Sequence, residues 1–206
     1  MLSAHAMQAF AFPYNGLVHP ASIGRSSRAC FYFWANCGVH LVFHSARYVH
    51  EDSWAALNCR RCSPPQPLSS HEEYAWNMLQ ASLSTQYVWL PEAPVAGYKM
   101  RPADIWLPFT AGMSNCLDLV VQIDGEQHFT TPMYGISIAQ QQARDARFND
   151  ACWAQGLRVL RLHHSDKHEW PQLLQNAIWS ALQRPQVKFR WFSSSFARQD
   201  VEARRY

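Results

Sequence analysis

A proline- and serine-rich stretch divides this chain into two parts of different composition. The eight residues from Ser63 to Ser70 read SPPQPLSS, a composition that supports neither helical nor strand periodicity. Four of the six cysteines lie before it, whereas after it apolar residues recur at helix and strand spacing. We therefore predict a linker at residues 63–69, a small Cys/His-rich segment at 30–62 and a larger domain at 70–184.

Charge is distributed unevenly along the chain. Residues 1–50 contain Arg25, Arg28 and Arg47 and no acidic residue, so the net charge of +3 lies entirely in the first quarter. A stretch rich in Ala, Ser and His that contains arginine but no acids is typical of an organellar transit peptide or a disordered terminus, which we predict for residues 1–29. No apolar run reaches the ~18 residues that would span a bilayer, so no membrane partner is predicted.

The cysteine spacing indicates a zinc site in the front segment. Cys59 and Cys62 are separated by two residues, a distance at which both thiolates can hold one zinc ion. Cys37 and His40 have the same spacing and would complete a tetrahedral Cys3His set. Two other residues of this segment could replace His40, namely Cys30 and His44. The alternative interpretation is a cysteine-containing loop that binds no metal.

After the linker, the hydrophobic pattern predicts alternating helices and strands. The predicted elements are a helix at 70–84, strands at 86–90, 100–107 and 117–124, a helix at 138–155, a strand at 157–162 and a helix at 170–182. This order is that of a compact α/β domain. Residues 185–206 are rich in basic and aromatic side chains and are predicted to form a disordered or weakly docked arm.

Two of the predicted strands carry polar residues where buried strands rarely have them. Asp104 lies in one, and Gln122 and Asp124 lie in the next, where strand alternation directs both to the same face. Two carboxylates brought close together repel each other unless a cation joins them, and Mg²⁺ or Mn²⁺ suits oxygen ligands. The structural alternative is a plain Asp124-Gly125 turn and a surface acid at Asp104.

The order of these motifs resembles that of the PD-(D/E)XK nuclease superfamily, in particular the branch of very-short-patch repair endonucleases. The resemblance extends from Ser69 to Leu182 and rests on RPAD at 101–104, QIDGEQH at 122–128, RDARFN at 144–149 and GLRVLR at 156–161. It implies a restriction-endonuclease-like three-layer core of helix, mixed sheet and helices. The implied function is metal-dependent hydrolysis of DNA phosphodiester bonds by an endonuclease or nickase.

The resemblance also implies roles for individual residues. Asp104 and Asp124 would be metal ligands, with Gln122 at an acidic position of the family motif. Glu72, in the first helix, would assist the metal or a bound water, and His128 would act as a general acid or base. Phosphate contacts would come from three arginines, Arg101, Arg144 and Arg161. In several relatives a zinc ribbon precedes the first helix, which favours zinc ligation by Cys59 and Cys62.

Departures from the family pattern leave other functions open. Gln122 is neutral where relatives usually carry Glu, and Phe148 stands where many carry Lys. These changes are compatible with a descendant that binds nucleic acid without cleaving it. The segment from Gln122 to Trp170 also resembles the RAP domain of organellar RNA-binding proteins, which shares the DGxxHF turn and a late Glu-Trp pair. A third interpretation is a partner-binding domain with neither activity.

Overall fold

The chain folds into two compact units. The computed structural model describes residues 1–51, 56–59, 61–63, 70–83, 87–95, 98–110, 116–125, 135–184 and 190–192. One unit comprises Met1–Pro67 and the other Leu68–Tyr206, so the boundary falls inside the predicted 63–69 linker. Below they are called the N-terminal unit and the α/β unit.

The N-terminal unit is built around a β-hairpin. Its regular elements are helix α1 (Ala4–Ala9), strands β1 (Cys30–Trp34) and β2 (Leu41–Ser45), and helix α2 (Ala46–Glu51). The strands are antiparallel, and their register runs from Cys30 opposite Ser45 to Trp34 opposite Leu41. Within the hairpin, Phe33 and Val42 face each other and lie in the core.

Residues 1–29, for which composition indicated a targeting or disordered terminus, contribute directly to this core. Leu2, Ala6 and Phe10 are each at most 2% exposed, and Ile23 is also buried. The first three are spaced four residues apart, which aligns them along one side of a short helical segment. Composition alone does not reveal this periodicity, which explains why the segment was not recognised as folded. A targeting role for it remains a prediction.

The α/β unit has the predicted order of elements. These are helix α3 (Ser70–Ser82), strands β3 (Tyr87–Val95), β4 (Tyr98–Thr110) and β5 (Cys116–Asp124), helix α4 (Ile138–Ala154), strand β6 (Arg158–His163), helix α5 (Trp170–Gln183) and strand β7 (Arg190–Phe192). Except for β7, each was predicted from the sequence, with ends that differ by at most five residues. A capping box, in which Ser137 and Gln140 exchange hydrogen bonds, fixes the start of α4.

The strands of the α/β unit form one mixed sheet in the order β3-β4-β5-β6-β7. β3, β4 and β5 are antiparallel neighbours, whereas β5 pairs with β6, and β6 with β7, in parallel. α4 provides the crossover that a parallel β5–β6 pair requires. This register places Gln122 opposite Arg161 and Asp124 opposite His163.

Helices cover both faces of the sheet. Leu119 and Val121 of β5, with Leu160 and Leu162 of β6, pack in one cluster with residues of α3 and α5. The intervening residues Val120 and Val159 pack with Phe148 and Cys152 of α4. Because alternate strand residues point to opposite faces, α4 lies across the sheet from α3 and α5. The predicted mixed α/β architecture is therefore confirmed.

Part of the C-terminal tail differs from its prediction. Residues 190–192 were expected to belong to a disordered or weakly docked arm, but they form β7 and pair with β6 from Val159 to Arg161. Without β7, this side of β6 would be an open sheet edge, and the main-chain hydrogen bonds of β7 close it. Such pairing depends on a distant strand and leaves little trace in a three-residue sequence.

The lengths of the helices bear on the membrane prediction. The longest helix among the described residues is α4, with 17 residues, and it carries several charged side chains. Within those residues, no helix is long and apolar enough to cross a bilayer.

Candidate functional site

The first candidate site lies in the N-terminal unit, where four predicted zinc ligands meet. The possible ligand atoms of Cys37, His40, Cys59 and Cys62 all lie within 4.8 Å of one another. The first two belong to the loop between β1 and β2, and the other two follow helix α2 in the chain. The main-chain N–H of Asn36 donates to the carbonyl of Leu57 at 2.8 Å, which ties the two loops together.

The distances within this cluster match a tetrahedral zinc centre. His40 Nδ1 lies 3.6 Å from Cys37 Sγ, 3.2 Å from Cys59 Sγ and 3.5 Å from Cys62 Sγ. Zn–S bonds of about 2.3 Å and Zn–N bonds of about 2.0 Å at tetrahedral angles separate nitrogen from sulfur by about 3.5 Å. The cluster can therefore bind a metal ion such as zinc, with Nδ1 as the nitrogen ligand.

Both halves of the cluster share one local geometry. The main-chain N–H of His40 donates to Cys37 Sγ at 3.4 Å, and that of Cys62 donates to Cys59 Sγ at 3.3 Å. In each half, the donor is three residues after the sulfur that accepts. Gly38, with a φ of +71°, provides the left-handed residue inside the first turn. Such N–H groups stabilise negative charge on sulfur, which suits metal-bound thiolates.

The pKa values of the cluster thiols indicate that a cation would be needed to hold all of them as thiolates. Burial raises the pKa of the Cys59 thiol to about 12, although the N–H of Cys62 opposes this shift. Burial also raises the pKa of Cys37, but the N–H groups of Val39 and His40 and the neighbouring thiols outweigh it and lower the pKa overall. The residues alone thus do not favour three thiolates together. A bound dication would supply the missing stabilisation.

The structure distinguishes His40 from its sequence alternatives. The ring of His44 lies against that of Tyr48, with centroids 5.0 Å apart, and Cys30 Sγ lies 4.0 Å from the carbonyl oxygen of Arg28. Neither belongs to the cluster. In the part of the chain that the structure describes, this cluster is the one group of three or more His, Cys, Asp or Glu side chains arranged to hold an ion.

The second candidate site lies at the end of β5 in the α/β unit, where Asp124 meets Arg161. Arg161 Nε donates to Asp124 Oδ2 at 2.6 Å, and Nη2 donates to Oδ1 of the same carboxylate. The two side chains are 5% and 2% exposed, so this bidentate ion pair is shielded from water. Both carboxylate oxygens are therefore engaged by the guanidinium.

Helix α4 completes this second cluster. Arg161 Nη1 donates to Asn149 Oδ1 at 3.1 Å, and Nη2 lies 3.3 Å from Asp145 Oδ1. Burial alone would lower the pKa of Arg161, but the charges and hydrogen bonds of Asp124 and Asp145 raise it above the ordinary value. The guanidinium is therefore charged, and two carboxylates share its single positive charge.

Asp104 also reaches this end of β5. Its Oδ2 accepts a hydrogen bond from the main-chain N–H of Ile123 at 2.7 Å, just beyond the ladder pair of Ile105 and Val121. Strand alternation places Asp104 on the face of Trp106, which packs in the α4-side cluster. Gln122 and Asp124 share the face of Val120, which packs against α4, and continuing the β4–β5 register beyond Ile105 and Val121 sets Asp104 opposite Gln122.

The remaining predicted site residues have mixed outcomes. Arg161 was expected to contact phosphate. Its side chain is instead buried and forms an ion pair with Asp124 inside the protein. Arg144 lies half-buried on α4. The side chains of Glu72 and Arg101, and the whole of His128, lie outside the described residues, so their predicted roles remain predictions.

Sequence reasoning missed the partners of Arg161. Asp145 and Asn149 belong to the RDARFN motif, yet no role was predicted for them. Their spacing of four residues puts both on one face of α4, and this was the available signal. A second buried arginine, Arg158, donates from Nη1 to the carbonyl of Leu117 at 2.7 Å. The position of Arg158 in an apolar strand gave no indication that its side chain would be buried and bonded to the main chain of β5.

Comparisons of the chain with protein-family models, with curated proteins and with solved structures found no match.

Proposed function

We propose that Cys37, His40, Cys59 and Cys62 bind one structural zinc ion in the N-terminal unit. The observation that supports this is the convergence of their ligand atoms within 4.8 Å. Four protein ligands leave no open coordination position, which distinguishes a structural zinc site from a catalytic one. The ion would join the β1–β2 loop to the chain that follows α2.

For the α/β unit, we propose a restriction-endonuclease-like domain that hydrolyses DNA phosphodiester bonds with Mg²⁺ or Mn²⁺. The observation that supports it best is the hydrogen bond from the main-chain N–H of Ile123, which lies between Gln122 and Asp124, to the carboxylate of Asp104 at one end of β4 and β5. The order helix, three strands, helix, strand, helix is also the order in which the resembling nucleases carry their motifs.

The geometry changes the roles within this proposal. Both oxygens of Asp124 face the guanidinium of Arg161, so Asp124 acts as an anchor of the strand end. Metal ligation then falls to Asp104 and to the amide oxygen of Gln122, with Glu72 as the predicted third ligand. When bound, the ion would hold a phosphate oxygen and lower the pKa of the attacking water. His128 keeps its predicted role in proton transfer.

The RNA-binding alternative has one specific observation in its favour. Gln122 is uncharged, and both oxygens of Asp124 are held by Arg161, so of the three strand residues Asp104 alone would offer a carboxylate to a divalent ion. A domain of this composition could bind nucleic acid without hydrolysing it, in the manner of the RAP domains that it resembles. The nuclease proposal requires a divalent ion for activity, whereas the RNA-binding proposal does not.

A cleavage assay separates them. Purified chain is incubated with supercoiled plasmid or labelled RNA in Mg²⁺, Mn²⁺ or EDTA. For the nuclease, Asp104→Asn should reduce cleavage by about 100-fold or more, because a metal ligand loses its charge. Asp118→Asn is the matched control, since Asp118 lies near the opposite end of β5 and its left-handed φ of +43° suits Asn equally. Asp124→Ala is a poor choice, because it would leave Arg161 charged and buried.

The outcomes are distinct. Metal-dependent cleavage that Asp104→Asn leaves intact would exclude this site. Binding of RNA without cleavage of either substrate would favour the RAP-like alternative.

Gln122→Glu gives a second test of the same site. Gln122 is fully buried, so a new carboxylate there should destabilise the α/β unit unless a cation joins it. If Mg²⁺ binds beside Asp104, adding the ion should restore the melting temperature of this variant and raise its cleavage rate. Wild-type chain, measured with and without Mg²⁺, provides the reference, and destabilisation that Mg²⁺ does not relieve would contradict a metal site here.

A further inference from the structure

The β1–β2 hairpin carries a row of aromatic side chains on the side away from its core. Phe33 and Val42 point inward, so strand alternation directs Tyr32, Trp34 and Phe43 to the outer side, where all three are half-exposed. A short sheet that buries one face normally presents polar residues on the other. Packing of the hydrophobic core therefore does not account for three aromatic rings on the outer side, and a binding role would.

Direct contacts arrange these rings, together with Tyr14, into one continuous surface. The ring centroids of Tyr32 and Phe43 are 4.8 Å apart, and those of Tyr14 and Trp34 are 5.7 Å apart in an edge-to-face geometry. Tyr14 and Tyr32 are 6.4 Å apart. We call these four residues the aromatic face.

Asn15 fixes Tyr14 to the hairpin. Its Nδ2 donates to the carbonyl of Tyr32 at 2.8 Å, and its Oδ1 accepts from the N–H of Tyr32 at 2.8 Å. This pair of bonds imitates a neighbouring strand at that residue. Tyr32 is thus held on one side by the side chain of Asn15 and on the other by its strand partner in β2.

Positive charge lies at the open end of the hairpin. The N–H of Arg47 donates to the carbonyl of Ser27 at 2.9 Å, and that of Ala46 donates to Ala29 at 3.1 Å. Pairing therefore continues past Cys30 and brings Arg28 and Arg47, both exposed, to the same end. The first acid of the chain is Glu51, which pairs with Arg47 in a solvent-exposed contact that salt and competing anions weaken.

We propose that the aromatic face binds single-stranded nucleic acid, with bases stacked on the rings and phosphates near Arg28 and Arg47. Stacking on aromatic side chains beside a positive surface is how sequence-tolerant proteins hold single strands. The charge complementarity favours a polyanion over an apolar protein partner, because residues 1–50 contain no acid. The bases of a duplex are stacked on one another, so the rings would discriminate against double strands. Single strands would bind this face whether or not the α/β unit is a nuclease.

Fluorescence anisotropy with short labelled oligothymidine and oligouridine tests this proposal. The full zinc-loaded chain is titrated in buffer without Mg²⁺ or Mn²⁺, so that cleavage plays no part. Tyr32→Leu and Trp34→Leu should each weaken binding by about tenfold, whereas Tyr32→Phe, which keeps the ring, should bind like the wild type. Zinc content, measured for every variant, shows that the hairpin has folded.

Two further variants serve as a control for the loss of an exposed Trp and as a test of the phosphate contact. Trp179→Leu removes a Trp that is 62% exposed on α5 of the other unit, and binding should not change. Arg28→Gln, at an exposed position, should reduce the slope of log affinity against log salt by about 0.7. The proposal is overturned if both leucine variants bind normally with full zinc, if Trp179→Leu weakens binding equally, or if duplex binds as tightly as single strands.

Discussion

The two units of this protein satisfy their clusters of polar side chains in opposite ways. In the N-terminal unit, three thiols and one imidazole converge within 4.8 Å, an arrangement that a metal ion would satisfy. In the α/β unit, Asp124, Arg161 and Asn149 satisfy one another through side-chain hydrogen bonds. The first cluster would be completed by an ion taken up from solution, whereas the second is satisfied by side chains of the chain itself.

Because of this difference, the stabilities of the two units should respond to different solution conditions. The described core of the N-terminal unit includes four alanines, whose small side chains bury little apolar surface. Such a small unit commonly needs a metal or disulfide in addition to its core. The α/β unit has a larger cluster of leucine, valine and tryptophan residues between its sheet and two helices. Zinc and pH should therefore affect the first unit and leave the second largely unchanged.

The largest expected effect is that of removing the metal ion. Zinc binding at sites of this type contributes about 10 kcal/mol or more, which exceeds the stability of a small unit. We expect Cys59→Ser, or a strong chelator, to abolish zinc binding and unfold the N-terminal unit. Elemental analysis should give one zinc per wild-type chain and none for the variant, and hydrogen exchange of the β1–β2 hairpin should become fast.

Two variants control for the loss of a Cys or His side chain. Cys30→Ser and His44→Asn change the residues that sequence alone offered in place of His40, and both should retain one zinc per chain. Full zinc content in Cys59→Ser would show that the ion is bound elsewhere.

The next largest effect is expected in the internally satisfied cluster. Arg161→Met would leave the buried Asp124 and the partly exposed Asp145 without their counter-charge, which should lower the free energy of unfolding by about 3–5 kcal/mol. Seven of the nine tryptophans follow residue 68, so denaturant titration followed by tryptophan fluorescence reports mainly on the α/β unit. A chelator should not reproduce this loss.

The matched control for this change is Arg147→Met. Arg147 lies on the same helix as Asp145 but is exposed, so the same substitution should change stability by no more than about 0.5 kcal/mol. Equal losses in the two variants would mean that the buried ion pair has no special importance for the α/β unit.

The same contrast explains how much the sequence could predict. Local patterns were sufficient for the helices and central strands, because burial of residues such as Leu173, Leu174 and Ala177 follows from their spacing within α5. The spacing of Cys59 and Cys62 is local in the same sense, and it identified half of the metal cluster. By contrast, the choice of His40 over His44 depends on where the β1–β2 loop lies.

Longer-range features could not be read from one sequence. The pairing of Asp124 with Arg161 requires β5 and β6 to be parallel neighbours in one particular register, and 36 residues separate the two in the chain. An arginine in a strand is equally compatible with a phosphate contact on the surface, which was the prediction. The strand β7 depends on the edge that β6 presents, and its own three residues do not specify it.

A moderate effect is expected for the pH at which zinc is released. Burial lowers the pKa of His40, and the charge of Arg61 lowers it further, so the neutral imidazole persists to lower pH than in an ordinary His. Arg61 also attracts the thiolates of the cluster. Arg61→Gln should therefore allow His40 and the thiolates to take up protons at higher pH, and zinc should be released at a higher pH than in the wild type.

A colorimetric zinc indicator followed during acid titration measures this release. Arg25→Gln is the control, since it removes the same charge from an exposed residue whose Nε donates to the carbonyl of Met1. A curve for Arg61→Gln that coincides with that of Arg25→Gln would show that net charge alone governs release.

The smallest expected effect compares the helix caps of the two units. Ser137 accepts from the N–H of Gln140 at 3.2 Å, and Gln140 Oε1 accepts from the N–H of Ser137 at 2.9 Å. Ser137→Ala removes one of these bonds at the start of a 17-residue helix and should cost about 1 kcal/mol in the fluorescence-detected unfolding of the α/β unit. Ser3 accepts a single bond, from Ala6 at the start of the six-residue α1. Ser3→Ala should leave that transition in place, because Ser3 belongs to the N-terminal unit and not to the α/β unit. A shift of the α/β transition in Ser3→Ala would show that the two units unfold together.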